Sequence, residues 1–147
     1  MRRSVQRVLS GLVLVGSLTL GSGVAFAQEP AKPVLTLEGD AVVMTILIKP
    51  EKTADFESVF AKYRAAFEKS ENPVRKQQLA GIRFYKSTQA ANGNAVYIVY
   101  VDSPVAGQEY DITRIILEGF PAEVQEYFAK YKDSFAGRAI TTLNKVQ

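Results

Sequence analysis

Apolar positions follow two rhythms along this chain. From Ala41 to Lys49 (AVVMTILIK) almost every residue is apolar, and the run stops at Pro50, which predicts a strand. Over Thr53 to Lys69 the spacing changes. Phe56, Val59, Phe60, Tyr63 and Phe67 recur every three or four residues, the period of an amphipathic helix. Thr53 is the expected N-cap, with Asp55 and Glu57 in the first turn suiting the helix dipole. Asn72-Pro73 predicts a short further helical turn through Leu79, with proline at its first position. Two more strands follow, Gly81 to Thr88 (GIRFYKST) and Asn94 to Asp102 (NAVYIVYVD). The Asn92-Gly93 pair between them suits a hairpin turn with positive φ. Ser103-Pro104 reads as the start of a helix reaching about Glu118, with Ile112, Ile115 and Ile116 on its apolar face. Gly119-Phe120-Pro121 interrupts it. A second helix carries Val124, Tyr127, Phe128 and Tyr131 as far as Phe135, Gly137 closes it, and Arg138 to Leu143 forms a last strand.

The order β-α-β-β-α-β, with the second α split in two, predicts an α+β, ferredoxin-like domain. That is a four-stranded antiparallel sheet with its helices on one face. In this topology the first and third strands lie centrally, and those two are apolar on both sides. The first offers Val42, Met44, Ile46 and Ile48 on one face, and Val43 and Leu47 on the other. The third sets Val96, Ile98 and Tyr100 against Tyr97, Val99 and Val101. The outer strands mix in Arg83, Lys86, Arg138, Thr141 and Thr142. Helices shield one face only, and soluble monomers seldom leave a large apolar patch in water. The expected cover is the same face of a second copy, giving a homodimer with Met44, Ile46, Tyr97 and Ile98 as candidate interface residues.

Residues 1–27 change the reading of composition. Met1 to Arg7 is basic, Val8 to Leu20 is apolar but short of a bilayer span, and Ala25-Phe26-Ala27 offers the small residues that signal peptidase accepts. Residues 1–27 are therefore expected to be a cleaved signal peptide, 28–40 a linker or N-terminal arm, and 41–147 the domain. The protein is expected to be exported, to a periplasmic or extracellular location, with no membrane attachment after cleavage. All 15 acidic residues lie beyond residue 27, against 15 basic ones there, so the basic excess of the whole chain belongs to its leader. No nucleic-acid footprint remains. Without cysteine there is neither a disulfide nor a lipid-anchored residue, so burial and self-association must hold the fold.

The absence of histidine and cysteine also excludes a Ser-His-Asp triad, a Cys-His nucleophile and any imidazole or thiolate metal ligand. No metal and no cofactor are expected. Arg83 and Tyr85 share one face of the second strand, and Tyr97 lies on the adjacent third. Such residues either bind an aromatic acid or phenol, or serve as interface core and an edge charge that opposes aggregation. Tyr110 and Arg114, four residues apart, either rim a pocket or form an ordinary solvated helix face.

The stretch VVMTILIKPEKTADFESVFAKYRAAF, then GIRFYKS, then NAVYIVYVDSP, resembles the dimeric α/β-barrel superfamily, which includes the antibiotic-biosynthesis-type monooxygenases. The resemblance covers about residues 41 to 145 and implies a barrel built from two sheets. The missing histidine and tryptophan separate the chain from that superfamily's haem-binding and haem-degrading branches. Two functions follow. The first is an exported homodimer that binds a small apolar or aromatic molecule, or acts as an interaction module. The second, implied by the resemblance, is a cofactor-independent monooxygenase or isomerase acting on a phenolic or enolic substrate in the barrel. Export to a compartment poor in such intermediates weakens the second and places the non-catalytic reading first.

Overall fold

A computed structural model describes residues 31–146. The expected signal peptide and the first linker residues lie outside that range. Strand β1 (Ala41–Ile48) leads through a single 3-10 turn (Pro50–Lys52) into helix α1 (Thr53–Lys69) and helix α2 (Pro73–Gly81). The hairpin of β2 (Ile82–Lys86) and β3 (Ala95–Asp102) follows, then helices α3 (Ile112–Gly119) and α4 (Val124–Ser134), and β4 (Phe135–Leu143). The sheet order is β2-β3-β1-β4 with every pair antiparallel, which is the ferredoxin-like arrangement. The sheet stays open, with β2 and β4 as its edges.

Alternation along β1 divides the molecule. Val42, Met44, Ile46 and Ile48 are at most 2% exposed and meet Phe56, Val59, Tyr63 and Phe67 of α1 in one core. Aromatic rings tie the helix to the sheet. Phe56 lies 4.4 Å from Phe60 and 4.9 Å from Tyr97 between ring centroids, in tilted and edge-on arrangements that suit ring quadrupoles. Tyr63 is fully buried, and its hydroxyl donates to the Tyr110 carbonyl at 2.9 Å. Burial keeps that phenol protonated far above the ordinary tyrosine range.

Local signals explain most boundaries. Asn72 caps α2 by accepting from the Val74 amide at 2.9 Å, with Pro73 at the first helical position. Asn92 and Gly93 both have positive φ (50° and 76°), and Ala91 and Asn94 exchange backbone hydrogen bonds across the turn. Three expectations are corrected. Thr53 does not cap α1; the 3-10 turn runs into the helix, and the cap position falls on Lys52 without a side-chain bond. The helix expected from Ser103 starts only at Ile112. Ser103 (φ 48°) and Gly107 (φ 70°) are left-handed, and the Tyr110 amide donates to Leu35 rather than to a helical carbonyl. Asp111 supplies the cap, accepting from Thr113 and Arg114 amides at 3.0 and 3.1 Å. Gly137 does not close α4, because that helix passes directly into β4, where Gly137 pairs with Leu47 beside a bulge.

The arm ahead of β1 adds no strand, yet it is docked. Leu37 is 3% exposed and belongs to the core. The Glu109 carboxylate accepts from the Val34 and Leu35 amides at 2.6 and 3.0 Å and from the Asp111 amide at 2.8 Å. Among the described residues, no helix is long and apolar enough to cross a membrane.

Two outcomes are expected. A Cβ on Gly119 would lie 2.9 Å from both Cα and Cβ of Ala66, where α3 meets α1. Gly119→Ala should therefore lower stability by about 1–3 kcal/mol, seen as an earlier urea midpoint at unchanged slope. Burial raises the Glu109 carboxyl, but the amides of Val34, Asp111, Leu35 and Tyr110 outweigh it and hold it below the ordinary carboxylate range. A depressed carboxyl contributes stability above its unfolded-state pKa and loses it as pH falls through the folded value. Acidification below the ordinary carboxylate range should therefore lower the protection of the Val34 and Leu35 amides relative to their intrinsic exchange rates, whereas Glu109→Gln should lower it already at neutral pH.

Candidate functional site

Residues opposite each other in an antiparallel pair point to the same side, so the register assigns the sheet's two faces. Val43 pairs with Tyr100 and Thr141, Thr45 with Ile98 and Ala139, and Leu47 with Val96 and Gly137. On the other side of β3, Arg83 pairs with Tyr100 and Tyr85 with Ile98. These residues form the face without helices. It is apolar across β1 and β3, and it carries a guanidinium and two phenols towards the β2 edge. Tyr85 is 55% exposed there.

The end of α2 positions Arg83. Its Nη1 donates to the carbonyls of Ala80 at 2.7 Å and Ile82 at 2.9 Å, so the side chain lies back along the edge of the sheet. The remaining guanidinium N–H groups have no partner among the described residues. A cleft of about 330 Å³ wraps this edge, lined by Arg64, Leu79, Ile82, Arg83, Phe84 and Tyr85. Arginine there offers a planar fork for a carboxylate or phenolate, and Tyr85 offers a stacking surface and a hydroxyl.

Sequence reasoning placed Tyr97 in this group, and the register corrects it. Tyr97 pairs with Lys86 and faces the helices, where it is 3% exposed. Its hydroxyl donates to Glu57 at 2.7 Å, and Glu57 also accepts from Lys86 Nζ at 2.7 Å. The hydrogen bond from Lys86, then that from Tyr97, holds the Glu57 carboxyl below its ordinary value, while burial raises the Tyr97 phenol. Glu57 is thus a satisfied anion that pins α1 to β2 and β3. Tyr100 is the phenol that belongs beside Arg83, and a signal for it was present. A two-residue turn at Asn92-Gly93 pairs odd positions of β2 with even positions of β3, which puts Tyr97 opposite Lys86 in parity and never beside Arg83 or Tyr85.

The remaining candidates fall elsewhere. Met44 and Ile46 are 2% and 1% exposed beneath the helices, so they and Tyr97 are core residues of the single chain rather than an interface; Ile98 alone of that set lies on the open face. Tyr110 is 1% exposed, and its hydroxyl accepts from the Val105 amide at 2.9 Å, which makes it a buried brace for the 103–111 segment. Arg114 is exposed on α3 and lines a recess of about 200 Å³ with Lys32, Arg75 and Glu118. The two do not share a helical face, since Tyr110 precedes the Asp111 cap. Among the described residues, no three acidic side chains are grouped to hold a metal ion.

The two tyrosines of the hairpin should respond oppositely to truncation. Tyr97→Ala should cost about 3–5 kcal/mol, as for other large core aromatics. Tyr85→Ala should stay within about 0.5 kcal/mol, as for surface positions. Equal losses in thermal or urea unfolding would contradict the face assignment.

No protein-family model matches the chain, and no curated protein sequence matches it. Among solved structures it is similar to SnoaB, a cofactor-independent oxygenase from Streptomyces nogalater. The identity is 18% and the TM-score 0.38, over 72% of this chain and 93% of that one. The ferredoxin-like assignment stands on the register of this chain's own strands.

Proposed function

We propose that the protein is an exported homodimer that closes its open sheet face against the same face of a second copy, and holds a small aromatic or apolar molecule beside Arg83, Tyr85 and Tyr100. The observation that carries this reading is the open face itself: Val43, Leu47, Val96, Ile98 and Tyr100 lie together on the side of the sheet that, among the described residues, no helix covers. An isologous contact hides such a surface with no further element, because each copy brings the same patch. The guanidinium and phenols lie at the margin of that patch, where a ligand meets apolar surface on one side and a charge on the other. Export follows from the basic, apolar and small-residue pattern of residues 1–27.

A second reading, a cofactor-independent oxygenase or isomerase acting on a phenolic or enolic substrate, uses the same place. The observation in its favour is two phenols beside one arginine in a chain without histidine or cysteine. It adds turnover to binding.

Sedimentation velocity on the purified protein at micromolar concentration should show a dimer. Ile98→Glu should shift it to monomer, because two carboxylates would be buried face to face. A hydroxynaphthoquinone titrated into the dimer should bind, with the affinity lost in Arg83→Ala and oxygen uptake distinguishing turnover from binding. A wild-type monomer under these conditions would overturn the proposal.

A further inference from the structure

A second cleft lies at the far edge of the sheet, on the opposite face, between α4, β4 and the start of α3. Its volume is about 300 Å³, the lower end of the roughly 300–1,000 Å³ typical of small-molecule sites. Phe128, Tyr131, Phe135, Lys132, Arg138 and Asp111 line it. Arg138 pairs with Ile46, so it projects towards the helices and not onto the open face. Phe128 is 47% exposed at the rim, and the rings of Tyr131 and Phe135 lie 5.6 Å apart at 59°, giving an angled aromatic wall.

The charges around this wall are unequal. Among the described residues, neither Arg138 nor Lys132 forms an ion pair, although six other cations do. The carboxylate in the cleft, Asp111, gives its Oδ1 to the Thr113 and Arg114 amides and the Thr113 hydroxyl as the cap of α3, which leaves two cations against one anion along the lining. Burial raises the Tyr131 phenol, with Arg138 acting the other way, so its hydroxyl remains a donor at neutral pH. Two cations without a carboxylate partner among the described residues, a phenolic hydroxyl beside Arg138 and an aromatic wall suit a ligand with a flat apolar body and one anionic end.

We propose that this cleft binds a small aromatic carboxylate, its ring against Phe128 and Phe135 and its carboxylate on Arg138, with Lys132 and the Tyr131 hydroxyl completing the anion's contacts. The guanidinium fork matches both carboxylate oxygens, a geometry a lone ammonium does not supply. The site does not rest on the open-face reading, since it uses different residues at the other edge of the sheet.

Benzoate, with neutral benzamide in parallel, titrated into the purified ¹⁵N-labelled protein tests this through amide shifts. Saturable shifts over residues 128–138 are expected. Arg138→Gln should weaken them roughly tenfold or more, since it removes the two-pronged, charge-assisted contact with the carboxylate. Lys76→Gln should leave them unchanged as a control for net charge, and benzamide should bind as weakly as benzoate binds Arg138→Gln. The spectrum of each variant reports whether it is folded. Shifts confined to Ile82–Lys86 and Ala95–Asp102 would overturn this site while favouring the open face. The absence of saturable shifts, or benzoate binding to Arg138→Gln as tightly as to wild type, would also overturn it.

Discussion

A β-sheet has two faces, and the described residues supply helices for one of them. Strand β1 is hydrogen-bonded on both sides, to β3 and to β4, so its side chains are committed alternately to the two faces. The even-numbered set is sealed under α1, α3 and α4. The odd-numbered set, Val43, Thr45 and Leu47, shares its surface with Val96, Ile98 and Tyr100. A register slip of one residue would exchange the two sets, and the core would lose Met44 and Ile46 to the open side. The bulge at Leu47/Ile48 confines the irregularity to one end of the β1–β4 pair and leaves the rest of the ladder in phase.

That constraint explains which parts of the fold were legible in the sequence. Element order, strand order and doubly apolar central strands all follow from period-two and near-period-four patterns, and the hairpin turn was readable from Asn92-Gly93. What the pattern does not contain is which side of a doubly apolar strand the helices take. Met44, Ile46 and Tyr97 look as suitable for a partner's face as Val43, Ile98 and Tyr100, because both sets are apolar or aromatic. The buried side is selected by α1, whose Phe56 and Phe60 meet Tyr97 edge-on. Such contacts join residues about forty positions apart and leave no local signature. The odd–even parity of the hairpin told only which residues of β2 and β3 share a face, not which face the helices cover.

The segment between β3 and α3 was misread for a different reason. Ser103-Pro104 and the isoleucines after it satisfy every local rule for a helix, but long-range polar contacts claim the backbone first. The Tyr110 amide goes to Leu35, its carbonyl to Tyr63, and the Glu109 carboxylate to the arm. Arg75 adds a fork to Glu118 and a bond to Gln78, whose amide in turn donates to the Glu109 carbonyl. Buried backbone groups must all find partners. Here they find them across the fold, and the helix begins only where Asp111 can cap it. Tyr110 thereby changes from a candidate ligand group into a brace.

The two arginines at the sheet edges carry both proposed sites, in a chain without histidine or cysteine and with no metal-binding cluster among the described residues. Arg83 spends one nitrogen on the carbonyls that end α2, which fixes its position but leaves part of the fork to face the open surface. Arg138 lies on an edge strand whose outer backbone groups face no neighbouring strand, and it makes no ion pair among the described residues. A lone arginine near an edge also discourages unwanted strand pairing, and that alone accounts for a cation at either position. It does not account for the aromatic residues beside each one. Both side chains are exposed, yet Arg83 lies with Tyr85 and Tyr100, and Arg138 with Tyr131 and Phe135. A guanidinium stacks on aromatic faces and offers a planar fork to a carboxylate, so an aromatic acid meets both of its needs at either edge, and this pairing is what the two proposed sites share.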